Sequence, residues 1–249
     1  MAAGSHNEPG TWTRGSAWQC AILIPLVDLL ISRFVFSFWT VSPANYFVSV
    51  LLGLLAGFVI TILFSQCRTT RDFVNRFRLR RRPDLKSWLG VLGGLLVSLA
   101  VVYGGKIGLV PKQLTPDYIH FSPRRHEYLL YMMLLGQLSP ILEEPLMRGF
   151  LYPVFRRSYG AVLATALLVV INSVYHLFVF TAWYLFVMTA ILTVMLCLLR
   201  EKTDNLWGCI LAHWVYNTAQ HPEIRLVGII IVFLLLPYMG GILDVPNDR

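Results

Sequence analysis

Long apolar runs separated by short polar connections recur along most of this chain, and they limit its fold more than any other feature. Residues 20–39, 46–67 and 89–110 each have the length of a membrane span. In hydrocarbon every backbone N–H and C=O must be bonded within the segment, so such runs become helices. Composition agrees: 56% of the 249 residues are hydrophobic and only 14% are charged, with a mean hydropathy of +0.63. Soluble domains carry about a quarter charged residues. The expected fold is therefore an all-α polytopic membrane bundle of about eight transmembrane helices.

Further spans are expected at 125–157, 161–180, 183–200, 206–219 and 226–239. Residues 1–18 are polar, rich in Gly and Ser, and lack a basic stretch leading into a cleavable core. They read as a disordered tail preceding a single transmembrane domain, 19–245. The turn Ser158-Tyr159-Gly160 joins the long fourth helix to the fifth. Gly53 and Gly57 have the small-xxx-small spacing that lets helices approach closely, and Gly90, Gly93 and Gly94 cluster near the start of the third span. Cys20, Cys67, Cys197 and Cys209 show neither a disulfide framework nor a metal-knuckle spacing and read as packing residues.

The net charge of +8 reports topology. Segment 68–86 holds Arg68, Arg71, Arg76, Arg78, Arg80, Arg81, Arg82 and Lys86, which marks it as cytoplasmic by the positive-inside rule. Eight spans then put both termini on that side, as in a multi-pass protein of a bacterial inner membrane. Nucleic acid is not an expected partner, because the basic residues crowd one loop between spans; the bilayer is.

Within the fourth span lies the least affordable stretch of the chain, Glu143-Glu144-Pro145-Leu146-Met147-Arg148-Gly149. A charge at the bilayer centre costs about 3 kcal/mol or more, so it is seldom idle. Four residues apart on a helix, Glu144 and Arg148 share a face and pair. Glu143 is turned about 100° from Glu144 and keeps its carboxylate for other work. Asp28 and Arg33 in the first span are five residues apart and read as pairing with other helices or snorkelling. Pro140 and Pro145 flank the glutamates and are expected to kink the helix.

Two later spans carry polar pairs at helical spacing, Asn172 with His176 and His213 with Asn217. Counted from the Tyr159-Gly160 turn, Glu143 and His176 fall at one depth, about 25 Å along antiparallel helices. A base carboxylate, two histidines and an amide are what peptide hydrolysis needs. The glutamate takes a proton from water, and imidazole and amide groups orient that water and stabilise the oxyanion. The alternative use of these residues is a zinc site through Glu143, His176 and His213, although no His-Glu-x-x-His is present to support it.

Glu143-Glu144-x-x-x-Arg148-Gly149, then His176, then His213-x-x-x-Asn217 resembles the CPBP family, the CAAX proteases and bacteriocin-processing (Abi) enzymes, over roughly residues 89–240. The resemblance implies an eight-helix intramembrane endopeptidase of the glutamic type, with no cofactor favoured. It implies Glu143 as general base with Glu144 supporting it, His176 positioning water, and His213 and Asn217 forming the oxyanion site. Arg148 would be the structural mate of Glu144. Where the family often has Phe, this chain has Asn172, which either alters substrate preference or holds a neighbouring helix. Implied substrates are membrane-associated peptides: prenylated C-terminal tails, peptide pheromones, bacteriocin leaders or sorting tails. A non-proteolytic immunity or scaffold protein is the competing reading, followed by a transporter, which the absence of inverted repeats disfavours.

Overall fold

The computed structural model describes residues 12–38, 43–79, 84–109, 125–176 and 183–219, and these are helical throughout, without strands. In chain order the helices are α1 (Arg14–Phe38), α2 (Pro43–Ser65), α3 (Thr70–Arg76), α4 (Leu85–Lys106) and α5 (Arg125–Glu144). A π-helical segment, Pro145–Leu151, follows, and then α6 (Tyr152–Tyr175), α7 (Trp183–Thr203) and α8 (Leu206–Ala219). Among the described residues five stretches are long and apolar enough to cross a membrane, and one of them, Met133–Tyr175 with 43 residues, is interrupted by non-helical backbone at Gly160. The seventh expected span is the 14-residue α8. The eighth, 226–239, lies outside the described residues.

Three boundaries differ from the sequence expectation. α1 begins at Arg14, inside the expected tail. Trp12 is already anchored there: its indole N–H donates to Ser65 O at 2.8 Å, and its ring packs on Phe77 and Phe150. Segment 68–86 contains a short helix, α3, capped by the Thr69 hydroxyl, which accepts from the Asp72 N–H at 3.0 Å. The fourth expected helix is not one continuous α-helix either. After Glu144 it widens, and the Tyr152 N–H bonds to Met147 O, five residues back. Pro145 opens this turn with no N–H to contribute, and single π-turns of this kind gather at functional sites.

Gly160, at φ 81° and ψ 166°, takes a backbone shape open essentially to glycine alone and breaks the helix where the turn was expected. Both arms reach α7: Tyr152 and Arg156 bond to Glu201, and Asn172 bonds to Thr193.

Glycine sets the closest helix pairings. A Cβ at Gly94 would run into the Ala212 carbonyl, which brings α4 onto α8, and Gly57 lies against Ile24 where α2 meets α1. Around these contacts α2 packs on α5, α6 on α7, and α5 on α8. Leu63, Val162, Val170 and Leu198 face outward, as lipid-facing residues do. The four cysteines are free thiols, three of them buried.

One end of the bundle gathers the basic connections. Arg156 forms an ion pair with Glu201 and Arg78 with Asp204, and Lys86 Nζ donates to Lys202 O. The segments counted on one side of the membrane from their charge thus meet in space.

Candidate active site

Adjacent in sequence, the two glutamates enter different surroundings at the end of α5. Glu144 is fully buried, and one of its oxygens, Oε1, accepts twice: from Arg148 Nη1 at 2.9 Å and from the His213 Nδ1–H at 2.8 Å. Its other oxygen, Oε2, has no hydrogen-bond partner among the described residues. Arg148 is buried as well, beside the Cys197 thiol, and its carbonyl accepts from Arg200 Nε at 3.1 Å. α5, the π-helical segment, α7 and α8 are thereby tied around one buried carboxylate. The bond to Glu144 fixes the His213 ring with a proton on Nδ1 and leaves Nε2 as the nitrogen not engaged by that carboxylate.

Glu143 is half-buried and makes no hydrogen bond or ion pair among the described residues. His176, at the end of α6, sets its ring through Nδ1, which lies 2.8 Å from the Asn172 carbonyl. A carbonyl only accepts, so Nδ1 carries the proton. Glu143 and His176 both lie within electrostatic reach of a third residue, Asp28 of α1.

The remaining expected residues are placed as follows. Asn172 donates from Nδ2 to Thr193 Oγ1 at 2.8 Å, so its side chain holds α7 against α6. Of the two readings given for it, the structure has the helix tie. Asn217 donates to Ser139 Oγ at 3.0 Å. His213 and Asn217 share a face of α8, but each is bonded to its own residue of α5, His213 to Glu144 and Asn217 to Ser139. Glu144 bonds to His213 directly, and no side-chain hydrogen bond links it to Glu143 among the described residues.

Two residues of this neighbourhood were not singled out as site members from the sequence. Ser139 carries no signal beyond lying four residues before Glu143. Asp28 did carry one, being an ionisable group inside a span, but only the packing of α1 on α2 and α6 brings it to Glu143 and His176. Arg33, five residues on, is exposed.

Among the described residues no three His, Cys, Asp or Glu side chains lie close enough to hold a metal ion. Glu143, His176 and His213 are not gathered into such a group among the described residues.

Residues 125–219 match the family model of type II CAAX prenyl endopeptidase Rce1-like proteins. Over this segment the chain is similar to the CAAX protease (CPBP) family. The matched segment runs from the start of α5 to the end of α8, so it encloses both glutamates, Arg148, His176, His213 and Asn217. For this CAAX-protease-like chain the family supports a membrane-embedded endopeptidase acting on a peptide in a membrane context. No curated protein and no solved structure gives a match.

Proposed function

We propose that the protein hydrolyses a peptide bond of a membrane-associated substrate with water activated by Glu143. The observation that carries this reading is the contrast between the carboxylates: Glu144 is bonded to both Arg148 and His213, whereas Glu143, one residue away, is accessible and unpaired among the described residues. An unpaired carboxylate in a shielded site is suited to take a proton from water. His176 stands in the same electrostatic neighbourhood, with Nε2 as its acceptor nitrogen in the neutral ring; it orients the water, and Glu143 passes the proton it took from that water to the leaving amine. His213, its ring locked by Glu144, presents the second imidazole. In the membrane, the end bearing Arg78, Arg156 and Lys202 faces the cytoplasm.

Cleavage of a peptide library by purified protein in detergent tests the proposal, with wild type compared with Glu143→Gln. The amide keeps the shape and removes the base, and activity should fall about 100-fold or more. Activity should also survive a zinc chelator. Cleavage by Glu143→Gln at the wild-type rate would overturn the assignment of the base. Activity lost to the chelator and restored by Zn²⁺ would overturn the metal-free mechanism.

A further inference from the structure

Two side-chain bonds tie α5 to α8: Asn217 Nδ2 donates to Ser139 Oγ at 3.0 Å, and His213 Nδ1 donates to Glu144 Oε1 at 2.8 Å. Moving forward from Ser139 to Glu144 on α5 moves backward from Asn217 to His213 on α8, so the two helices are antiparallel here. The ties lie about one turn apart, and Glu143 stands between them on α5. Ser139 comes four residues before Glu143, so both project from one face of α5 with their Cβ atoms about 6 Å apart. Gly136 continues that face, and a Cβ built there would lie 3.6 Å from the Asn217 Cβ. The Asn217 side chain therefore rests on the face of α5 that carries Glu143, one turn away from it. Ser139, Glu143 and Asn217 are all half-buried. A carboxamide has two N–H groups, and because it is planar, holding one fixes where the other points. Asn217 gives one N–H to Ser139 and makes no other side-chain hydrogen bond among the described residues.

We propose that Ser139 is a positioning residue: its hydroxyl oxygen holds one N–H of Asn217 so that the other meets the carbonyl oxygen of the peptide attacked at Glu143. The proposal rests on the peptidase reading and adds to it a donor for the charge that gathers on that oxygen. As water adds, its oxygen bonds to the carbonyl carbon, the π electron pair of the C=O moves onto the carbonyl oxygen, and Glu143 takes the proton. The negative charge thus passes from Glu143 to the oxyanion, about one turn along the same face. An N–H aimed there in advance stabilises the transition state more than the bound substrate. The Nδ1 proton of His213 is engaged by Glu144, so it does not serve that oxygen. Without Ser139 the amide turns about its last side-chain bond, and part of the gain from orientation is lost.

The test measures cleavage of the peptide library by purified protein in detergent. Ser139→Ala should lower kcat roughly tenfold with KM changed by less than about threefold, and Asn217→Ala should lower kcat roughly 100-fold. Adding Ser139→Ala to Asn217→Ala should cost nothing further, because Ser139 acts only through that amide. Ser139→Thr keeps the hydroxyl and should retain the wild-type kcat. Ser139→Val has the shape of the threonine variant without its hydroxyl and should be as slow as Ser139→Ala, which separates the hydrogen bond from the packing. Gly136→Ala adds a methyl group at ordinary contact distance from Asn217 and should cleave like wild type. The side-chain ¹⁵N–¹H signals of Asn217, assigned by their loss in Asn217→Ala, should move in Ser139→Ala and Ser139→Val and return in Ser139→Thr. Wild-type kcat in Ser139→Val, a loss confined to KM, or losses that multiply in the double variant overturn the proposal. A wild type that cleaves nothing overturns the peptidase reading alone, and the Asn217 signals then decide whether Ser139 holds the amide.

Discussion

The region around Glu144 and the region around Glu143 begin one residue apart and are built on opposite principles. At Glu144 each charge is answered: Arg148 and His213 converge on one carboxylate oxygen, and Arg200 ties down the Arg148 backbone. At Glu143 the groups of Asp28, Tyr175 and His176 draw near without closing into bonds with it among the described residues. A buried network of paired charges holds helices in register, and both kinds of region are costly in a bilayer. The proposed function gives the first region the architecture and the second the chemistry.

The largest effect should come from breaking the closed region. Glu144→Ala leaves Arg148 buried without its counter-charge, and thermal unfolding in detergent should show a loss of about 3–5 kcal/mol. Glu143→Gln, the neighbouring change, should leave stability within about 0.5 kcal/mol of wild type while removing activity. Equal destabilisation by the two would erase the contrast. Next in size is the tie between α6 and α7: Asn172→Leu should cost about 1 kcal/mol. A double-mutant cycle with Thr193→Val isolates that bond, and strictly additive losses would show that it contributes nothing.

The smallest effect lies outside both regions, at the start of α4. Asp84 caps that helix, its Oδ1 accepting from the Ser87 N–H and hydroxyl, both at 2.9 Å. Slight burial would push its carboxyl up, but these hydrogen bonds and the nearby Lys86 outweigh it and hold the carboxyl below its ordinary value. A lowered folded-state value means that the stabilisation is complete above the ordinary carboxylate range, about pH 4, and is lost as the pH falls through the lowered value. Asp84→Ala should therefore cost about 1 kcal/mol at neutral pH, and the difference from wild type should vanish in acid. A difference that persists in acid would show that the capping carboxylate is not its source.

Much of the site could be read along the chain because it follows from local geometry. The Glu144–Arg148 pair, four residues apart, forms as spacing requires, and it does so even though the backbone there is π-helical. The turn at Gly160 falls where glycine marked it. Asp28, read as pairing with another helix or snorkelling, lies half-buried against Gly53 of α2, a contact between two helices that no spacing records. Ser139 escaped notice similarly, because its partner, Asn217, lies on another helix. The start of the first helix was placed too late because Gly and Ser near residue 15 hide the Trp12 and Trp18 anchors.

By itself the sequence determined the membrane class, the helical fold, the hairpin turn and the faces on which polar residues lie. Backbone satisfaction in lipid and the 3.6-residue period act within a single segment, so those features are local. Only the tertiary structure decided that Glu144 is the closed carboxylate and Glu143 the accessible one. It also decided that His213 bonds to Glu144, and that Asp28 lies against Gly53. Each of these depends on how helices rotate and pack against one another. A single residue's change of register turns a side chain by about 100°, enough to move it from lipid to the centre of the bundle.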